Sequence, residues 1–140
     1  LAKQRLTANG VFAANIIGSV EHDTLMTSSI IKTLQSVFDN VTVYSATDTT
    51  LSEGVSNLAI VAYDGTPRAV DLVRVPNMNI NPLVESTVMD NLQQPIHFTQ
   101  HPSAMVLTDD YNPVDFYDVW LKEKIRKSNL GSTDFDILSS

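Results

Sequence analysis

"GVFAANIIG", residues 10–18, is the stretch on which the fold turns. It is an apolar run bounded by glycines, and its apolar and polar residues do not alternate strictly. A strand buried on one face alternates with period two, whereas one covered on both faces reads as a nearly continuous apolar run. The stretch therefore predicts a strand covered on both sides, as in a parallel sheet. Such a strand belongs inside a sheet wider than these residues can build.

Upstream, "LAKQRLTANG" sets basic residues between Leu1 and Leu6 and ends on Asn9-Gly10. Basic residues in a last turn followed by Asn-Gly predict a helix C-terminus, so the chain is expected to open on the tail of a helix. Downstream, "EHDTLMTSSIIKTLQSVFDN" (21–40) repeats apolar residues at Met26, Ile30, Leu34, Val37 and Phe38. Thr24, Ser28, Lys32, Gln35 and Asp39 fall on the opposite face. The period is helical, with Asp23 expected as N-cap and Asp39-Asn40 as the end. "VTVYSA" (41–46) is a strand by its β-branched content, "TDTTLSEGVS" a polar loop, and "NLAIVAYD" (57–64) a further buried-type strand. Strand, helix, strand predicts a right-handed parallel crossover, and the third strand is expected to return antiparallel beside the second.

Past residue 64 the texture changes. All six prolines lie here, at 67, 76, 82, 95, 102 and 113. Residues 1–64 therefore read as a sheet domain and 65–140 as a proline-punctuated extension packed against it. Within the extension, a short helix is expected between Asn81 and Pro95, and a final helix from about 113 to 128. "IHFTQHPSAMVL" (96–107) is a short strand or an extended cover segment.

Composition narrows the function. With 43% apolar and 18% charged residues, the 140-residue chain is of ordinary globular type. Its net charge of −7 argues against nucleic acid, which requires clustered Lys and Arg. The one basic cluster, "KEKIRK" (122–127), is expected to offset a helix dipole. No apolar run approaches the ~20 residues of a membrane helix. With no cysteine, neither a disulfide framework nor a thiolate metal site is available, which fits a cytoplasmic setting. His97 and His101 have helical metal-ligand spacing, but Pro95 and Pro102 bracket them and no acidic ligand stands at a set distance.

Candidate site residues cluster at two places. Asn15, near the carboxyl end of the first strand with Ile17 and Gly18, would face the crevice where open α/β sheets bind ligands. Glu21, His22 and Asp23 follow on the next loop; alternatively, Asn15 bonds its neighbours and His22 is a helix-entry residue. In "VLTDDYNP" (106–113), Asp109 and Asp110 would favour a cationic amine, with Tyr111 giving an apolar wall and a hydroxyl. The same segment also reads as helix entry, with Asn112 as N-cap and Pro113 at the first helical position. That grammar does not require two acids further upstream. Phe116, Tyr117, Trp120, Leu121 and Ile125 recur at helical spacing and read as packing.

"RLTANGVFAANIIG", the amphipathic helix, "TLQSVFDNVTVYSA" and "NLAIVAYD" together resemble the second half of spermidine synthase-like proteins. Thr33, Leu34, Val37, Phe38, Val41, Val43 and Tyr44 stand at the positions of the family's "tL..vF..v.vY" signature. "LTDDYNPV" is similar to its "LTDDyaPv" segment. The resemblance covers residues 1–64 and 105–127. It implies the C-terminal part of a Rossmann-like, methyltransferase-type sheet ending in an antiparallel hairpin. It also implies aminopropyl transfer from decarboxylated S-adenosylmethionine to a diamine, or methyl transfer from S-adenosylmethionine in related folds.

The family's glycine-rich cofactor loop, its acidic ribose-binding residue and its Asp-x-x-Asp-Pro stretch have no counterpart here. "SATDTTLSEGVSN" (45–57) stands where its Tyr-Pro-x-Gly amine-site loop is expected. The chain is thus expected to line a substrate crevice through Asn15, Glu21, Asp109, Asp110 and Tyr111 and to be inactive alone. Its expected partner is a missing N-terminal half, or a second copy joined through the open sheet edge as a homo-oligomer. A non-enzymatic dimerisation module of the same fold is the alternative.

Overall fold

The computed structural model describes residues 3–46, 55–78 and 81–110, together with Val119, Glu123, Arg126 and Lys127. The chain divides into two compact units, residues 1–106 and 107–140.

The first unit is a mixed α/β structure. Three strands, β1 (Phe12–Ser19), β2 (Asn40–Ser45) and β3 (Val55–Tyr63), form one antiparallel sheet in the order β1-β3-β2. Helix α1 (Leu25–Gln35) connects β1 to β2, and α2 (Pro82–Gln93) follows β3. Short 3-10 turns occupy Lys3–Arg5 and Leu72–Met78. No helix among the described residues is long and apolar enough to cross a membrane.

The order meets the expected strand directions and adds a placement that the sequence did not carry. β3 does return antiparallel beside β2, pairing Asn40 with Tyr63 through Ser45 with Leu58. It also pairs antiparallel with β1, from Phe12–Ala62 to Ser19–Val55. β1 and β2 therefore run parallel but are not neighbours, because β3 lies between them. Local sequence pattern specifies that each segment is a strand; it carries little information on which strand slides between which.

β3 is the spine of the core. Leu58, Ile60 and Ala62 are wholly buried on one face, while Asn57, Ala59 and Val61 on the other stay half-buried. Each large side chain so enclosed contributes about 1.5–3 kcal/mol relative to exposure. Ile31 and Val43 complete the buried cluster, with Ile16, Ile30, Leu34, Val41, Ile96 and Phe98 packed around it.

β1 departs from the expected double coverage. Phe12, Ala14 and Ile16 are half-buried toward α1, but Ala13, Asn15 and Ile17 are exposed, Ile17 by 48%. The alternation is present but muted in the sequence: Ala13 and Ile17 are apolar on the open face, so the strand reads as one continuous run.

α1 is also rotated from its expected setting. Ser28, assigned to the outward face, is wholly buried, with Thr27 and Ser29 beside it. The reason is a polypeptide strap. His101 donates its backbone N–H to Ser28 Oγ (2.9 Å), Met105 donates to Ser29 Oγ (3.3 Å), and Lys32 Nζ donates to the Ala104 carbonyl (2.7 Å). Earlier in the strap, Ile96 donates to the Val43 carbonyl (2.8 Å), covering the outer edge of β2. Residues 96–106 thus serve as the extended cover segment.

The helix ends were partly misplaced. Thr24, not Asp23, is the N-cap of α1, and Asp23 adopts a left-handed backbone at φ 55°. Aspartate tolerates that region better than most residues, so the tight turn uses it there. α1 closes at Ser36, short of Asp39. α2 begins as its sequence predicts: Asn81 accepts the Leu83 N–H (2.9 Å) and Pro82 occupies the first turn.

In the second unit, Val119, Glu123, Arg126 and Lys127 are helical. The rest of the expected final helix, with Asn112, Pro113, Trp120 and its aromatic neighbours, lies outside the described residues. Arg126 and Lys127 both pair with Glu123, at 3.0 and 3.5 Å. The Arg126 guanidinium bonded to Glu123 holds its carboxyl below the usual range.

Candidate functional site

The open face of the sheet is the most distinctive surface of the first unit. Residues directly paired across strands share a face, so the register places Asn15, Ala59 and Tyr44 in one row. Ala13, Val61 and Thr42 form the row on one side. Ile17 and Asn57 begin the row on the other, continued where Ala46 donates its N–H to the Asn57 carbonyl (2.8 Å).

The result is a shallow apolar floor of Ala13, Ile17, Ala59 and Val61. Two polar side chains, Asn15 and Tyr44, flank the small Ala59. Burial of the Tyr44 hydroxyl, and then the nearby Tyr63, raises its pKa above the ordinary value, so it stays a neutral donor and acceptor. This face offers neutral hydrogen bonding over an apolar base. It suits a flat apolar group or a packing element rather than an anion.

Asn15 sits mid-strand, four residues before Ser19, or about 13 Å from the carboxyl end of β1 at the usual strand rise. It belongs to the floor of this face rather than to its rim. Glu21 and His22 lie exposed just beyond the strand. Their backbone N–H groups both donate to Ser19 Oγ, at 3.3 and 3.0 Å, which folds the loop back on the strand end. Gly18 faces the other way. A β-carbon there would stand 2.6 Å from Thr27 Oγ1, so this glycine serves close packing of α1.

Asp109 and Asp110 stand exposed in a turn of the second unit, and Tyr111 lies outside the described residues. His97 is exposed. His101 is half-buried, and its Nδ1 accepts the Ser103 N–H (3.1 Å) within the strap turn. Among the described residues, no group of three His, Asp or Glu side chains is placed to share a metal ion.

Tyr44 entered the sequence reading only through the family signature, and neither it nor Asn57 was read as a site residue. Their place beside Asn15 depends on β3 lying between β1 and β2, and period-two counting along each strand would reveal it only once that order is known.

Comparison of the chain with protein-family models, with curated proteins and with solved structures returns no match.

Proposed function

We propose that this chain is the C-terminal half of a spermidine synthase-like aminopropyltransferase, lining the substrate crevice and inactive alone. The observation that carries the reading is the sheet order. β2 and β3 pair antiparallel, which supports the closing hairpin that the resemblance implies, and β1 has no partner on its outer side among the described residues. A Rossmann-like sheet continued past β1 would use that edge.

On this reading the donor, decarboxylated S-adenosylmethionine, is held by the complementary half, which also supplies the catalytic acid. The acceptor nitrogen attacks the activated carbon of the sulfonium in line, the C–S bond breaks with methylthioadenosine as the leaving group, and acidic groups hold the amine and take its proton. Asn15 and Glu21 contribute to the acceptor side. Methyl transfer from S-adenosylmethionine is the neighbouring chemistry on the same architecture.

Calorimetric titration of the chain with S-adenosylmethionine and with methylthioadenosine tests the reading. The expected result is no heat beyond dilution at micromolar concentrations. Micromolar binding of either nucleoside would contradict the assignment of the donor site to another half.

One observation favours a second reading, a non-enzymatic dimerisation module. β1 carries no charge and no proline along eight residues, and unprotected edges of that kind pair with other strands. Light scattering separates the two: a concentration-independent monomer excludes self-pairing through β1.

A further inference from the structure

We infer that Asn9 is a site of spontaneous deamidation through a succinimide, set by the same packing that shapes the turn before β1. It is the one asparagine in the chain followed by glycine. The turn demands that glycine: a β-carbon on Gly10 would lie 2.8 Å from Leu6 Cβ and 3.0 Å from the Thr7 carbonyl oxygen. The residue that fits is therefore also the one whose backbone nitrogen no side chain shields.

The step balances without an enzyme. The Gly10 nitrogen gives up its proton to solvent base and attacks Asn9 Cγ. A C–N bond closes the succinimide ring, and the side-chain amide nitrogen departs as ammonia. Water then opens the ring at either carbonyl, leaving aspartate or iso-aspartate.

Asp64-Gly65 is the other pair of this type, and the contrast supports the assignment. There the Gly65 N–H donates to Asp39 Oδ2 (2.9 Å), while Asp64 Oδ1 accepts from Lys3 Nζ (3.0 Å) and the Asp39 N–H (3.3 Å). Nucleophile and carboxyl are both held. Asn9 is exposed, and no described residue bonds its side-chain amide. The one restraint on the nucleophile is the turn bond from Gly10 N–H to the Thr7 carbonyl (2.8 Å), which an exposed turn opens readily. Conversion has a local consequence. The Asn9 carbonyl accepts Arg68 Nη1 (3.1 Å), and iso-aspartate adds a main-chain methylene beside that contact.

The test is peptide mapping by mass spectrometry of the full chain aged in mildly alkaline buffer, native and in denaturant. Asn9→Gln is aged in parallel, with circular dichroism confirming its fold. The expected result is aspartate and iso-aspartate at residue 9, accumulating in the native chain faster than at every other asparagine, and lost in the variant. An Asn9 that stays intact in the native chain while converting in denaturant would overturn the inference, because the turn would then be protective. So would conversion no faster than at the other asparagines.

Discussion

Gly18 and Thr27 are packed so closely that no β-carbon fits between the end of β1 and the first turn of α1: one placed on residue 18 would stand 2.6 Å from Thr27 Oγ1. Thr27 is 1% exposed and has nowhere to retreat. Gly18→Ala is therefore expected to destabilise the chain by about 1–3 kcal/mol, as overpacking does. Adding Thr27→Ala should recover part of the loss. Urea denaturation of both single variants and the double variant checks the coupling, which additivity would disprove.

Ser28 is expected to matter more than its chemistry suggests. Ser28→Ala leaves the part-buried His101 N–H without its acceptor, at a cost of about 1 kcal/mol. Amide exchange at His101 should accelerate, while amides of β3 should follow global stability only.

Leu58 and Leu83 make a matched pair. Leu58 is wholly buried and Leu83 is 79% exposed. Leu58→Ala should cost about 2–5 kcal/mol by cavity formation. Leu83→Ala should stay within roughly 0.5 kcal/mol of the parent, as exposed sites do. Thermal denaturation of the two variants side by side distinguishes them.

Tyr44 gives a pH dependence whose sign is fixed by its environment. Burial raises its folded pKa above the ordinary value near 10, so the folded state favours the protonated phenol. The corresponding stability is present below the ordinary tyrosine pKa and is lost as pH rises through the higher folded one. Spectrophotometric titration should show one phenolate appearing late. Tyr44→Phe should remove that late phase and flatten the alkaline loss of stability.

Legibility in the sequence followed the range of the interactions concerned. Asn81 and Pro82 declared a helix start because capping is decided within four residues. β3 was visible in "NLAIVAYD" because burial of Leu58, Ile60 and Ala62 leaves a local trace. Its insertion between β1 and β2 was not visible, since strand order is a non-local choice. Ser28 misled because the strap that covers it lies more than seventy positions away. Asp23 misled because aspartate serves equally at an N-cap and in a left-handed turn. Asn15 was expected near the carboxyl end of β1 but sits mid-strand on the open face, and its place beside Tyr44 required the register.

The central claim is that, among the described residues, β1 ends the sheet with its outer edge unpaired. Residue-resolved hydrogen exchange of the native monomer measures that directly. Alternate backbone amides of β1, those directed at β3, should be protected, and the intervening ones should exchange at nearly unfolded-chain rates. Uniform protection of all the β1 amides in a verified monomer would mean the chain covers that edge itself, and the half-enzyme account would be contradicted.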